Sequence, residues 1–309
     1  MRIVIVTALL HLPGVTVRGA ALSSVDLLFT ATSAICITGL VVTDTAEAFT
    51  RFGQVLLLVF VQVGGLGILT FGTLFAYLTG RRLNFSERQT LVAQLNALNV
   101  GGVLPLLKTI LASTLVSEAV GMLLLAWRFV PHLYPAAYHA VSAYNHAGFA
   151  VLRGGMAPYV GDPLVNLTIS VLVILGGQGV LVQLNIASHV LRPRRHRLLV
   201  YSRLTLWTTA LLLGVGLLVI LLLEWQNGRT LAPPGTGAKL LASFFQSMTP
   251  RSGGFATLNI KAMNTATIFT LIGLMFIGAN SGSTGGGIKT STSRSWWAAR
   301  GTWRAARAN

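Results

Sequence analysis

Charge is what this sequence has little of. Only 10% of its 309 residues are Asp, Glu, Lys or Arg, where a water-soluble domain carries about 25%. Acids are scarcer still, 7 against 23 bases. One cysteine, Cys36, excludes an internal disulfide and any multi-cysteine metal cluster. Paired carboxylates and His, Cys or acidic residues at ligand spacing are missing as well, which leaves acid–base and metal chemistry without a framework. What the chain has in abundance is apolar sequence, 53% by residue, and a formal charge of +16. In a polar protein that charge would suggest nucleic acid. Here the bases are confined to gaps between apolar runs too long for a soluble core helix, so the partner is a bilayer.

Runs of about 20 apolar residues, the length that crosses a hydrocarbon core, lie near 52–79, 103–127, 164–190 and 204–223, with a shorter fifth at 265–279. The stretch from Met1 to Pro13 lacks a small-residue cleavage site and reads as the end of a truncated helix, not a signal peptide. Three less apolar segments, near 24–35, 137–146 and 238–248, are too short to cross. If they dip in and return to the outer face, the inner segments 80–108, 190–203 and 288–309 hold 14 Lys and Arg against 8 in the outer ones. Of the acids, Asp26, Asp44, Glu47, Asp162 and Glu224 then fall outside and Glu87 inside. This is the positive-inside bias of a cytoplasmic N-terminus with three re-entrant segments.

Each short segment ends alike: TATSAICITGL at 30–40, AVSAYNHAGF at 140–149 and FFQSMTPRSGGF at 244–255. A second glycine cluster follows in the next run: QVGGLG at 62–67, LGGQG at 175–179 and FIGANSGSTGGG at 276–287. The unit is helix, re-entrant helix, glycine-containing strand, helix, and parallel copies of a unit converge on one central path. Non-helical backbone at membrane depth survives only in protein or beside water, and carbonyls on such a path can replace the hydration of a cation. The backbone of Cys36, Ile37, Thr38 and Gly39, of Asn145, His146, Ala147 and Gly148, and of Arg251, Ser252, Gly253 and Gly254 is therefore the candidate ion path. Its side chains carry no negative charge, which favours carbonyl coordination of a monovalent ion.

These six motifs, in this order and spacing, resemble the membrane subunits of the Trk/Ktr/HKT superfamily of potassium transporters, closest to the Ktr branch, over residues 9 to 290. The resemblance implies an all-α polytopic membrane protein of tandem M1–P–M2 units, K+-channel-like, in a bacterial plasma membrane. Three of the four units would be present: 1–80 with a shortened first helix, 81–191, and 192–290. The central glycines of the K+ filter would be Gly39, Gly148 and Gly254. Members work as homodimers on a ring of cytoplasmic nucleotide-binding RCK subunits of the KtrA or TrkA type, some depend on Na+, and no organic cofactor is implied. In the family an intramembrane loop below the filter acts as the gate, matching Gly278 to Gly287 here. Gly278, Ser281, Gly282, Ser283, Thr284, Gly285, Gly286 and Gly287 could not hold a stable helix in any case, because each Gly costs about 1 kcal/mol relative to Ala.

Two departures stand out. A fourth unit is missing, and the basic, Trp-rich residues 291–309 do not continue the expected helix; a reading-frame change is the expectation they raise. Competing readings are a non-conducting fragment and an intramembrane enzyme built on Glu118 or His146. Gly64, Gly65, Gly67, Gly176, Gly177 and Gly179 read as close-packing positions between helices. Cys36 reads as a small buried side chain. Glu118, the one acid inside a span, is either functional or a hydrogen-bond partner of a neighbouring unit. Arg251 either tunes cation entry or is tied to nearby carbonyls and Glu224. Arg192, Arg194, Arg195 and Arg197 suit inner-surface anchoring or docking of a regulatory ring.

Overall fold

The computed structural model describes residues 2–17, 19, 22–67, 103–129, 132–192, 197–231, 235–280 and 282–289. Three times along these residues a helix is followed by a short helix, an irregular stretch and another helix. The first set is α1 (Arg2–Leu10), α2 (Ser24–Cys36), the single turn α3 (Thr45–Ala48) and α4 (Arg51–Gly65). The second is α5 (Val103–Arg128), α6 (Leu133–Tyr144), α7 (Pro163–Gln178) and α8 (Val180–Leu191). The third is α9 (Val200–Glu224), α10 (Thr236–Met248) and α11 (Thr265–Phe276).

Length sorts these helices. At 1.5 Å per residue, α5 and α9, with 26 and 25 residues, exceed the ~30 Å of a hydrocarbon core. The short helices α2, α6 and α10 have 13, 12 and 13 residues, reach ~20 Å and cannot cross. Their starts are written locally: Ser23 and Asp26 form a reciprocal capping box on α2. Asp162 caps α7, with Pro163 at its first position. Each short helix lies on the helix before it, and the units join in sequence, α4 against α6 and α7 against α10.

Exposure is inverted relative to a protein in water. On α5, Val116, Leu123 and Trp127 are exposed while Thr114 and Glu118 are buried; on α9, Trp207, Leu211 and Leu222 face out while Thr205, Thr209 and Glu224 are buried. Apolar belts of this extent around a polar interior are stable only against lipid. The molecule is a polytopic membrane protein.

One expectation needs correction. The run 164–190 is not one straight helix: α7 and α8 meet at 107°. The hinge is Gly179, at φ 80 and ψ 146, a conformation closed to residues with a Cβ. An apolar count cannot register such a bend. The helix in 52–79 ends at Gly65, and residues 68–102 lie outside the described ones, as do Arg194, Arg195 and 290–309.

Candidate functional site

The stretches after α2, α6 and α10 repeat one backbone conformation. Ile37, His146 and Ser252 have φ of 54, 60 and 73, and two residues on, Gly39, Gly148 and Gly254 have φ of 75, 66 and 75. A left-handed Ile is rare, since its Cβ crowds the backbone, and three equivalent non-glycine cases mark a conformation imposed by the surroundings. Alternating left-handed residues turn carbonyls that would otherwise point to opposite sides toward one side.

Backbone bonds fix which side. The amides of Thr38, Ala147 and Gly253 donate to the carbonyls of Ser33, Ser142 and Thr249 at 3.0, 2.8 and 2.8 Å. A trans peptide sets each C=O opposite the next N–H, so the Ile37 and His146 carbonyls point away from their helices. Hydroxyls fasten the far end: Ser33 Oγ donates to Leu40 O at 2.7 Å, Ser142 Oγ to Phe149 O at 2.9 Å, and Thr249 Oγ1 to Phe255 O. The carbonyls of 37–39 and 146–148 accept no hydrogen bond among the described residues.

The three glycines converge. A Cβ on Gly148 would lie 2.6 Å from the Gly254 Cα, and one on Gly39 would lie 3.1 Å from the same atom. Side chains are excluded from this centre by opposing backbone.

The ion-path side chains turn elsewhere. Asn145 Nδ2 donates toward Glu118 Oε1 at 2.8 Å, Gln62 Oε1 at 2.9 Å and Val141 O at 2.9 Å. The buried His146 ring lies against Gly177 and Gly285. Ser252 Oγ accepts from the Gly286 amide at 3.0 Å, and Arg251 Nη2 donates to Gly278 O at 3.3 Å. Arg251 thus takes the nearby-carbonyl alternative, and Glu224 is not its partner: Asn227, Thr230, Asn264 and Thr267 satisfy that carboxylate at 2.6–2.8 Å. Cys36 is exposed, not buried, because the end of α2 has no neighbour over that face among the described residues.

Residues 278–289 form an irregular loop below these strands; Ser281 lies outside the described residues. Its two arms pair through Gly278 N to Ile288 O at 3.2 Å and Ala279 N to Gly286 O at 3.1 Å. Gly278 is obligatory there, since a Cβ would sit 2.0 Å from Gly286 O. The tip reaches the second unit: Thr284 Oγ1 donates to Tyr144 O at 3.0 Å, and the Thr284 and Asn280 amides to Gly176 O and Gly177 O at 3.2 and 3.0 Å. Lys289 Nζ donates to Gly285 O at 2.5 Å. A cavity of about 280 Å³ opens beside it, lined by Gly64, Gly67, Thr114, Val180, Ser283 and Thr284 among others.

The glycine clusters behave as packing positions where they meet the short helices. A Cβ on Gly64 would lie 2.5 Å from Ile35 O, and one on Gly176 would lie 2.0 Å from Tyr144 O. Sequence reasoning missed the hydroxyl ties. The signal was present: a Ser or Thr five or six residues before each central glycine, at 33, 142 and 249.

Tandem re-entrant units around converging backbone define a channel-like class of membrane transport protein. The TrkH family profile, described as cation transport protein, matches residues 2–301, and the chain belongs to this family. It is 40% identical over 300 residues to the Ktr system potassium uptake protein B of Bacillus subtilis, covering 94% of this chain and 66% of that protein. It is 40% identical over 290 residues to the protein of the same name from Vibrio alginolyticus, covering 92% and 63%. The potassium/sodium uptake protein NtpJ of Enterococcus hirae is 34% identical over 291 residues, covering 92% and 64%. The crystal structure of the potassium transporter TrkH from Vibrio parahaemolyticus superposes with a TM-score of 0.67 at 18% identity, over 87% of this chain and 53% of that one. The chain thus spans about two thirds of the length of the curated relatives.

Proposed function

We propose that this chain forms K+-conducting pore structure of a Trk/Ktr-type uptake system, with backbone carbonyls of 36–39, 145–148 and 251–254 as the ion path and 278–287 as its gate. The observation that carries this reading is the meeting of Gly39, Gly148 and Gly254, each two residues after a left-handed residue. Peptide oxygens turned to one side replace the water that a monovalent cation sheds. The C-terminal, negative ends of α2, α6 and α10 lead into these strands and favour a cation there. The loop fits a gate because it is held beneath the strands by hydrogen bonds with no packed helix of its own and is too glycine-rich to lock as one.

The names of the relatives support K+ as the transported ion, and that of the Enterococcus protein adds Na+. No covalent chemistry is proposed. In this reading the protein sits in the plasma membrane as a homodimer and docks a cytoplasmic nucleotide-binding RCK subunit.

The test is growth at low K+ of a bacterial strain lacking K+ uptake, together with rubidium influx, with the full chain expressed alone and with a KtrA-type subunit. Uptake that is abolished by Gly148→Asp at unchanged protein abundance is the expected result. No uptake in either setting, from membrane-inserted protein, overturns the reading.

A further inference from the structure

Glu118 has no part in the ion path or the loop, yet it is an acid buried in the middle of a crossing helix. It lies in mid-helix on α5 at 6% exposure, on the face opposite the lipid-exposed Val116 and Leu123. A carboxylate at that depth costs several kcal/mol to desolvate. A helix contact alone would be served by an apolar side chain.

Its partner explains the position. Glu118 Oε1 is 2.8 Å from Asn145 Nδ2, and Asn145 ends α6, immediately before left-handed His146. The same Nδ2 faces Gln62 on α4 and the Val141 carbonyl one turn back, each at 2.9 Å. Room for the amide exists because position 65 has no side chain: a Cβ on Gly65 would lie 1.9 Å from Asn145 Oδ1. The first residue of the second strand is thus gripped by its own helix, by the preceding unit and by α5. Ionised, Glu118 would make this hydrogen bond charge-assisted, about twice as strong as a neutral one. It also decides which way the amide faces, since only the NH2 end can turn toward a carboxylate.

The equivalent position in the third strand is built differently. Arg251 also stands three residues before its central glycine, but its pocket is lined by Thr209, Leu213, Ile174 and Met248, without an acid. It donates to the loop instead.

We propose that Glu118 is the positioning residue of the second strand: acting through Asn145, it holds the backbone of 145–148 in its left-handed, inward-facing conformation and thereby sets that strand's preference for K+ over Na+. The second half rests on the pore reading above; the first does not.

The test is hydrogen exchange of the purified full chain in detergent, in choline, Na+ and K+ salts, for wild type, Glu118→Ala, Glu118→Gln, Asn145→Ala and the double alanine variant. In choline, Glu118→Ala and Asn145→Ala are each expected to speed exchange at His146 and Ala147 by about tenfold, equivalent to ~1.4 kcal/mol, with α5 and α7 unchanged. The double variant is expected to go no further. Glu118→Gln, which keeps an acceptor, should stay within about threefold of wild type. K+ should protect 145–148 more than Na+ does in wild type and Glu118→Gln, and equally in Glu118→Ala. Wild-type exchange in Glu118→Ala, a rise spread evenly over α5, additive single variants, or K+ preference surviving in Glu118→Ala would each overturn the inference. Should wild type itself not distinguish K+ from Na+ while the choline pattern holds, the pore reading fails and the anchor stands.

Discussion

The second and third strands share a backbone and differ in what stands behind them. Asn145 and Arg251 occupy the same place, three residues before Gly148 and Gly254. Asn145 is held by a carboxylate and an amide on two neighbouring helices. Arg251 is buried without an acid, beside a void of about 20 Å³, room for a single water, and among the described residues its side chain donates to the loop. The first side chain of the second strand is therefore anchored to the helical frame and that of the third to the loop, although the loop tip also touches the second unit at the Tyr144 carbonyl. Anchoring to packed helices gives a stiff strand, whereas anchoring to a loop makes strand and loop respond together.

The sharpest way to break this comparison is at the point the two strands share. Gly148→Ala and Gly254→Ala place a methyl 2.6–2.7 Å from opposing backbone, in a conformation that already costs a non-glycine residue about 1–2 kcal/mol; rubidium influx should fall to the vector level for both. Gly154→Ala has the same strain, φ 74, and open space around it. It should lose stability only, which a thermal melt with intact influx would show. Equal loss of influx in all three variants would mean that convergence is irrelevant.

The next effect should be one-sided. Arg251→Met removes one of two ties from strand to loop, Ser252 Oγ to the Gly286 amide remaining, and is expected to raise hydrogen exchange several-fold across both 252–254 and 278–287, more than at 145–148. Exchange unchanged in the loop would show that the third strand is not coupled to it. Thr284→Val tests the other end of the loop. Losing its hydrogen bond to the Tyr144 carbonyl should destabilise the docked loop by about 1 kcal/mol and raise basal influx several-fold; unaltered basal influx would argue against this contact as part of the gate.

The hydroxyl ties should act on stability, and alike in both units. Ser142→Ala and Thr249→Val each leave a buried carbonyl unpaired, at about 1–3 kcal/mol, read as similar drops in melting temperature. A large disparity would show that the repeat is not equivalent there.

The smallest effect concerns the first unit. Hydrogen bonds from the Ser23 backbone and side chain hold the Asp26 carboxyl below its ordinary value. The folded form therefore binds its proton less readily than the unfolded one, so this contribution is present above the ordinary carboxylate range and lost as pH falls through the folded value. Acidification below about pH 4 should fray the start of α2, seen as faster exchange at 24–27, and Asp26→Asn should remove that pH dependence.

Much of the fold is legible in the sequence because lipid imposes strong rules. Runs long enough to cross and short segments that cannot give most of the helices. The recurrence of Gly39, Gly148 and Gly254 marks where the units are alike. The site was legible only as backbone. That Asn145 turns away from the centre toward Gln62 and Glu118, 83 and 27 residues away, has no local signature. Nor does the left-handed turn at Ile37, since a β-branched residue is the last choice for that conformation. The 107° bend at Gly179 hides inside an apolar run for the same reason: hydropathy records what a segment avoids, not the direction it takes.

By itself the sequence determined that the chain lives in a bilayer, repeats a bent-back helical unit, and keeps glycine where each unit turns outward again. Those are consequences of solvent and of local sterics, which act on residues near in sequence. Only the tertiary structure decided that three glycines meet, that Glu118 stands behind one strand and a loop behind another, and that Arg251 has no acid. Such facts depend on which surfaces close on one another, and contacts across tens of residues leave no imprint on composition or period.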